Sequence, residues 1–279
     1  MTAVQGPSVR RPSVRRPPAH RPSLHRVSPG SALTHAGTMA YRGLLKFKHN
    51  PQQLFDVLVL PVVFTVMFAG IFGGAIAGDV ASYLPTLVPG VLVQVALAAS
   101  VTTGVQLRED MNKGVFDRFR SLPIARIAPL AGSLIADVVR YAVAAVITIA
   151  VGMALGYRPG SVVGVVAACV LTIVCAFALS WIFALMGVLM SKASTVQGVS
   201  MLVLMPLTFM SNALVPVATM PGWMQAFAGV NPVSHLVSAV RQLANEGQFG
   251  LQIVWSLLGA FAVLAVAAPV ALRVYMRRT

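Results

Sequence analysis

Six long apolar stretches constrain this chain more than any other feature of its sequence. They lie near residues 54–74, 84–105, 130–155, 162–190, 196–217 and 251–272. A helix needs about 20 residues to cross the hydrocarbon core of a bilayer, and each stretch is long enough. Because 57% of the 279 residues are hydrophobic and only 10% are charged, a soluble fold could not bury so much apolar surface. The sequence therefore predicts an all-α membrane protein with six transmembrane helices.

The distribution of Lys and Arg predicts the orientation of these helices. Eighteen of the 21 basic residues lie in segments that share one predicted side of the membrane. These segments are 1–53, 106–129, 191–195 and 273–279. The other side carries only Arg158 and Arg241. Since cytoplasmic loops are rich in Lys and Arg, both termini are predicted to be cytoplasmic. Contact with anionic lipid, rather than nucleic acid, then explains the net charge of +14.

The first 38 residues differ from the rest of the chain. They form a basic Pro/Arg/Ser tail, in which PSVRRP occurs at 7–12 and again at 12–17. Such a composition cannot form a core, so residues 1–38 are predicted to be disordered and residues 39–279 to form one membrane domain. Residues 40–50 mix leucine and phenylalanine with basic side chains, which is typical of a short helix in the membrane interface.

The sequence lacks the motifs of the common catalytic sites. It contains no GxxxxGK[ST] phosphate-binding loop, and the dipeptide Gly-Lys does not occur in it. It contains neither HExxH nor GxSxG. The five histidines and seven carboxylates are spread mostly through loops, which predicts no metal site and no catalytic pair. We therefore expect that the chain is not an enzyme, needs no cofactor and hydrolyses no ATP itself.

One pair of ionisable residues, Asp137 and Arg140, lies inside the third apolar stretch. Each alone would cost roughly 2.5–3.5 kcal/mol at the centre of a bilayer. At a spacing of i, i+3 they lie on one face of a helix and can form an ion pair. Their predicted place, about two turns from the cytoplasmic end, favours a structural ion pair. A gating or substrate-path pair is the alternative.

The largest predicted cytoplasmic loop, 106–129, contains a candidate docking helix. Its central residues combine aromatic and charged side chains: Val115, Phe116, Asp117, Arg118, Phe119 and Arg120. On a helix, Val115, Phe116 and Phe119 share one face. Such a face suits either a partner protein or the membrane surface, and the residues alone leave both possibilities open.

The segment 218–250, on the opposite predicted side, is long and amphipathic rather than polar. It is predicted to fold back as short helices at the outer surface. Its candidate residues are Trp223, Asn231, Pro232, His235 and Arg241. In the fifth apolar stretch, Met201, Met205 and Met210 either line a promiscuous apolar path or take part in ordinary helix packing.

Three motifs are similar to those of a known family. They are HNPQQLFDVLVLPVVFTVMFAGIFGGAI at 49–76, KGVFDRFRSLPIAR at 113–126 and SNALVPVATMPGWMQAFAGVNPVSHLVSAVRQL at 211–243. Together they resemble the ABC-2 permeases, and within them the branch of daunorubicin-resistance drug exporters. The resemblance runs from about residue 40 to the C-terminus. It implies a six-span permease half that forms a homodimer and works with two copies of a separate ABC ATPase subunit.

The resemblance also implies roles for three segments. Residues 41–49 would be an interfacial elbow helix, 107–126 a coupling helix that docks on the ATPase, and 211–243 an outer re-entrant element. The implied function is export of amphiphilic drugs, antibiotics or lipids across a bacterial plasma membrane. Export of polysaccharide or another cell-surface component is the alternative in the same class. A channel or secondary transporter that does not use ATP, and a membrane-embedded assembly protein, are the alternatives of other classes.

Overall fold

The computed structural model describes Leu45, residues 51–114 and residues 128–278, and they form helices joined by short connections. The helices are α1 Pro51–Ala77, α2 Val80–Asn112, α3 Ala128–Ala154, α4 Val162–Leu189, α5 Ala193–Phe209, α6 Gly222–Val230, α7 Pro232–Glu246 and α8 Leu251–Arg278. A single turn of 3-10 helix, Val217–Thr219, precedes α6. The all-α fold class is confirmed over these residues. The predicted tail at 1–38 lies outside them, as does the interfacial helix apart from Leu45.

Within this described part, five helices are long and apolar enough to cross a membrane: α1, α2, α3, α4 and α8. The chain is thus a multi-pass membrane protein. The fifth predicted stretch, 196–217, differs from its helix. Helix α5 has 17 residues and spans about 25 Å, which is shorter than the ~30 Å of hydrocarbon. It ends at Phe209 because the chain turns at Ser211 and Asn212, although apolar residues continue beyond the turn.

Helix α2 is the centre of the fold. It packs against α1, α3, α4, α5 and α7, and 78% of its most apolar stretch of 18 residues is buried. Its residues Leu84, Leu87, Val88 and Val91 are fully buried. Helix α8 is the least buried of the five long, apolar helices. It packs against α4 and α7, and only 11% of its most apolar stretch of 18 residues is buried. In a membrane, most of the surface of α8 would therefore contact lipid.

Glycines allow α2 and α4 to cross with their backbones in contact. A Cβ atom on Gly104 would lie 2.1 Å from the carbonyl oxygen of Phe183. A Cβ atom on Gly187 would lie 2.4 Å from the carbonyl oxygen of Gly104. Small residues serve the same purpose at many helix crossings in membranes, where close packing has to replace the hydrophobic effect.

A second close approach joins the start of α4 to the end of α7. A Cβ atom on Gly160 or on Gly164 would lie 1.9 Å from a carbonyl oxygen of α7, that of Asn245 or of Leu243. The backbone N–H of Gly160 also donates a hydrogen bond of 3.0 Å to the carbonyl of Ala244. Helix α7 is therefore held against the membrane helices by backbone contact.

Candidate functional site

A groove of about 720 Å³ opens between α1, α2 and α5, and Arg140 of α3 forms part of its wall. This volume lies within the range of about 300–1,000 Å³ that is usual for small-molecule sites. Helices α1 and α5 both pack on α2, and the groove lies between them. The groove is therefore a candidate binding site.

The lining that α1 and α5 contribute is mostly apolar and adaptable, with Ser194, Gln197 and Thr208 of α5 as its polar members. Its apolar members include Leu60 and Phe64 of α1 and Met201 and Met205 of α5. Methionine side chains are flexible and polarisable, so they fit apolar surfaces of varied shape. Of the three methionines singled out in the sequence, Met201 and Met205 lie on this wall, whereas Met210 lies at the C-cap of α5.

The other side of the groove is polar and incompletely hydrogen-bonded. It includes Gln94 and Gln106 of α2, which are twelve residues and hence about 18 Å apart along the helix. Three buried atoms of the groove-lining residues have no hydrogen-bond partner within the described part of the chain: Gln94 Oε1, Gln106 Nε2 and Arg140 Nε. An unpaired buried polar group costs about 1–3 kcal/mol, so such groups call for a functional or structural explanation.

Asp137 and Arg140 lie in contact on the face of α3 that meets α2. Arg140 Nη2 is 3.0 Å from Asp137 Oδ1 and donates a second hydrogen bond, of 2.9 Å, to the carbonyl of Ala99. Thr103 Oγ1 donates to the other carboxylate oxygen, Asp137 Oδ2. The two charged side chains are only 7% and 5% exposed. The pair therefore joins α3 to α2 and at the same time places a guanidinium group on the wall of the groove.

Arg241 connects three elements near the start of α2. From α7, its Nη2 donates to the carbonyls of Thr86 in α2 and of Asn212 in the turn after α5, at 3.2 and 2.9 Å. The phenol of Tyr83 donates to the carbonyl of Leu214 in the same turn, at 2.6 Å. Burial lowers the pKa of Arg241, and interaction with Tyr83 opposes this shift. These bonds fix the turn against α2.

Asn245 makes a similar connection, which depends on a proline in α2. Pro89 has no N–H, so the carbonyl of Pro85 loses its partner within the helix. Asn245 Nδ2 donates to this carbonyl at 2.9 Å. Asn245 Oδ1 accepts a bond of 2.6 Å from the phenol of Tyr157, and burial raises the pKa of Tyr157 to about 12. The phenol is therefore a stable donor, and the freed carbonyl is satisfied by a neighbouring helix.

The remaining candidates of the segment 218–250 are spread over its two helices. Asn231 caps α7 by accepting from the N–H of Val233, and its Nδ2 donates to the carbonyl of Leu207 in α5 at 2.8 Å. Pro232 occupies the first turn of α7. Two other candidates are His235, whose Nδ1 lies 2.9 Å from Gln252 Oε1 of α8, and Trp223, which is 65% exposed on α6.

The structure thus brings Arg140, paired with Asp137, to the groove, whereas the candidates of 218–250 lie on α6 and α7 and do not line it. The docking residues Val115, Phe116, Asp117, Arg118, Phe119 and Arg120 lie outside the described residues. Sequence reasoning missed Gln94 and Gln106. The signal was present, because Gln94 is an uncharged polar residue in the middle of an apolar stretch. Among the described residues, no group of three or more His, Cys, Asp or Glu side chains could hold a metal ion.

Comparison with known proteins gives two matches. The family described as ABC-2 type transporter matches residues 34–244. The chain is also similar to the daunorubicin resistance ABC transporter permease protein DrrB1 of Streptomyces coeruleorubidus. The two sequences are 45% identical over 250 residues, which cover 89% of this chain and 88% of the relative.

Proposed function

We propose, since this chain belongs to the ABC-2 type transporter family, that it is the membrane-spanning subunit of an ATP-driven exporter of amphiphilic compounds. The observation that carries the proposal is the 45% identity to a daunorubicin resistance permease over nearly the whole length of both chains. A groove with one apolar and one polar wall, between helices of a membrane protein, supports it. Amphiphilic drugs, antibiotics or lipids are the proposed substrate class.

The energy for export comes from a separate ABC ATPase subunit in this proposal. The sequence has no phosphate-binding loop of its own, so ATP has to be hydrolysed by a partner. By analogy with the family, two permease copies pair with two ATPase copies. Both termini are cytoplasmic, and α5 is a sixth, shorter span. The segment 211–243 is the outer re-entrant element that covers the path.

The connection between α2 and α3 is the proposed input for the ATPase. The coupling segment 107–126 joins these helices, and the contacts of Asp137 and Arg140 with Thr103 and Ala99 hold them together. A push on the segment would therefore move α2 and α3 as one body and change the width of the groove. ATP drives this change only if the ATP-bound partner binds the two permease conformations with different affinities.

Affinity purification from the native membrane, followed by mass spectrometry, tests the assignment. The tagged chain should carry a stoichiometric P-loop ATPase. The double variant Phe116→Ala/Phe119→Ala should lose that ATPase and the ATP-dependent efflux of daunorubicin, because it removes the aromatic face of the docking helix. Phe249→Ala is the matched control, since it removes a 70% exposed phenylalanine on the opposite predicted side of the membrane.

The alternatives predict other results in the same experiment. Efflux that needs no ATPase would favour a channel or secondary transporter. An ATPase that copurifies while polysaccharide, rather than daunorubicin, is exported would favour the cell-surface exporter. Retention of both the ATPase and efflux in the Phe116→Ala/Phe119→Ala variant would refute the docking role of these residues.

A further inference from the structure

The geometry points to a substrate-selecting ladder on the polar wall of the groove, formed by Gln94, Arg140 and Gln106. It selects amphiphiles that carry both uncharged carbonyl and hydroxyl groups along one edge. The inference rests on the proposed export function and adds to it the class of substrate and the residues that recognise it.

The three side chains are arranged along α2 in order. Gln94 lies toward the Asp79 end, and Gln106 lies toward the Lys113 end, about 18 Å away. Arg140 lies between their levels, because it donates to the carbonyl of Ala99. Thr102 also lines this wall. Hydrogen-bonding groups therefore recur along the groove rather than at a single point.

Each member of the ladder combines a place on the groove wall with a polar atom that lacks a partner. Neither observation would be sufficient alone. Asn212 Oδ1, Ser234 Oγ, Arg241 Nε and Gln242 Oε1 are also buried and unpaired, yet their residues do not line this groove. Among the described residues, Gln94, Gln106 and Arg140 are the ones that both line the groove and have a buried, unpaired polar atom. Each of the three atoms is buried, so a bound molecule would become their partner when the side chains turn toward the groove.

The charges of the groove determine the chemistry of that molecule. The guanidinium of Arg140 is neutralised by Asp137 at 3.0 Å, and Glu109 lies 3.6 Å from Lys113. Among the described residues that line the groove, Arg140 is the one cation, and it is already paired with a carboxylate, while Glu109 adds a further carboxylate to the lining. This disfavours a polyanion such as a phosphate headgroup. Gln106 Nε2 and Arg140 Nε are donors and suit ketone or hydroxyl oxygens, whereas Gln94 Oε1 is an acceptor and suits a hydroxyl group. The opposite wall, with Phe64 and Met201, suits the flat apolar face of such a molecule.

A second copy of the chain is a poorer occupant of the groove. The outward faces of α1 and α5 that could enter it are apolar, with Ile71 57% exposed, Leu202 75% exposed and Val203 52% exposed. Such side chains offer nothing to the amide groups of Gln94 and Gln106, which would stay unpaired. A small molecule with hydroxyl and carbonyl groups offers a donor to Gln94 Oε1 and an acceptor to Gln106 Nε2.

Binding of two fluorescent probes to the full chain in lipid nanodiscs tests the ladder. Daunorubicin is a planar fused-ring molecule with ketone and hydroxyl oxygens, and pyrene is a planar hydrocarbon without oxygen. Gln94→Met and Gln106→Met keep the volume of the side chain but remove its hydrogen bonds. Each should weaken the binding of daunorubicin about ten-fold and leave pyrene binding unchanged or tighter, after subtraction of uptake by empty nanodiscs.

Ser100→Ala is the matched control, because Ser100 lies on α2, does not line the groove, and donates its hydrogen bond to the carbonyl of Leu97 in its own helix. It should bind both probes like the parent chain. Equal losses for daunorubicin and pyrene, or no loss for either, would overturn the ladder. A parent chain that binds no daunorubicin would also overturn the ladder. The same holds if the only effect of Gln94→Met and Gln106→Met is to change the proportion of dimer.

Efflux measured in cells separates this inference from the proposed function. If ATP-dependent export of daunorubicin is present while Gln94→Met and Gln106→Met bind it as tightly as the parent chain, the ladder is wrong and the export function stands. If the parent chain exports no amphiphile with its ATPase present, the export function itself fails.

Discussion

Helix α2 presents two polar walls that are built in different ways. Toward α7, its backbone carbonyls at Pro85 and Thr86 accept hydrogen bonds from Asn245 and Arg241, so the polar side chains connect one element to another. Toward α1 and α5, Gln94 and Gln106 each keep a buried atom without a partner. The first wall is a set of crosslinks, and the second borders a groove.

This difference indicates that the side of α2 facing α7 is rigid, whereas the side facing the groove has polar groups that are free to bind a ligand. Buried hydrogen bonds between elements rigidify a structure, whereas unpaired groups beside a cavity lower its stability and gain a partner only when a ligand enters. The Asp137–Arg140 pair combines the properties of the two walls. It crosslinks α3 to α2 through Ala99 and Thr103, and its Arg140 also lines the groove.

The largest expected effect comes from breaking that pair. Arg140→Leu leaves the carboxylate of Asp137 buried without its cation and should lower the free energy of unfolding by about 3–5 kcal/mol. The double variant Asp137→Leu/Arg140→Leu removes both charges and should recover most of this loss. Thermal unfolding of the purified chain in nanodiscs measures both variants.

Ligand binding by the double variant sharpens the comparison. If the pair is both a crosslink and a rung of the ladder, the double variant should regain stability while its affinity for daunorubicin stays low. Full recovery of affinity together with stability would mean that the pair is only a crosslink.

The sequence predicted more of the fold than of the site. Hydropathy located the five long helices, because a span of lipid-facing side chains leaves a continuous apolar pattern. It misplaced the end of α5, since Leu214 and Val215 continue the apolar pattern while Asn212 and Leu214 use their carbonyls to bind Arg241 and Tyr83. Bonds of this kind join residues more than 20 positions apart, and local pattern does not reveal them.

For the site, spacing predicted that Asp137 and Arg140 share a helix face, but their neighbours Thr103 and Ala99 belong to another helix. The motifs at 113–126 and 211–243 gave the family, which the comparisons confirm. The groove could be found only in the three-dimensional structure, because Gln94 and Met201 line it from helices that are distant in sequence. The docking role of Phe116 and Phe119 stays a prediction.

An intermediate effect is expected where the crosslinked side is most closely packed. Gly164→Ala would place a Cβ atom 1.9 Å from the carbonyl oxygen of Leu243, so α4 and α7 have to separate. We expect a loss of about 1–3 kcal/mol in the free energy of unfolding, as for other overpacked sites. Gly198→Ala in α5 is the control. It has nothing within 4 Å of the added atom and should be neutral or stabilise the helix by up to about 1 kcal/mol.

These two alanine variants test whether the close approach of α7 is real. Hydrogen exchange of the backbone amides of α7 should rise in Gly164→Ala and not in Gly198→Ala. Equal stability and equal exchange in both variants would show that α4 and α7 are not in backbone contact, and the crosslinked wall would lose one of its supports.

The smallest effect, and the most specific, concerns the carbonyl that Pro89 frees. Asn245→Ala removes its donor and should cost about 1–2 kcal/mol of the free energy of unfolding, because the carbonyl of Pro85 is left unpaired. Pro89→Ala restores an N–H four residues after Pro85, which can bond that carbonyl within α2. In a double-mutant cycle of thermal unfolding, Asn245→Ala should therefore cost less in the Pro89→Ala background than in the parent chain. Strictly additive losses would mean that Asn245 contributes through Tyr157 alone, and the wall of α2 toward α7 would then be joined to it by Arg241 rather than by both side chains.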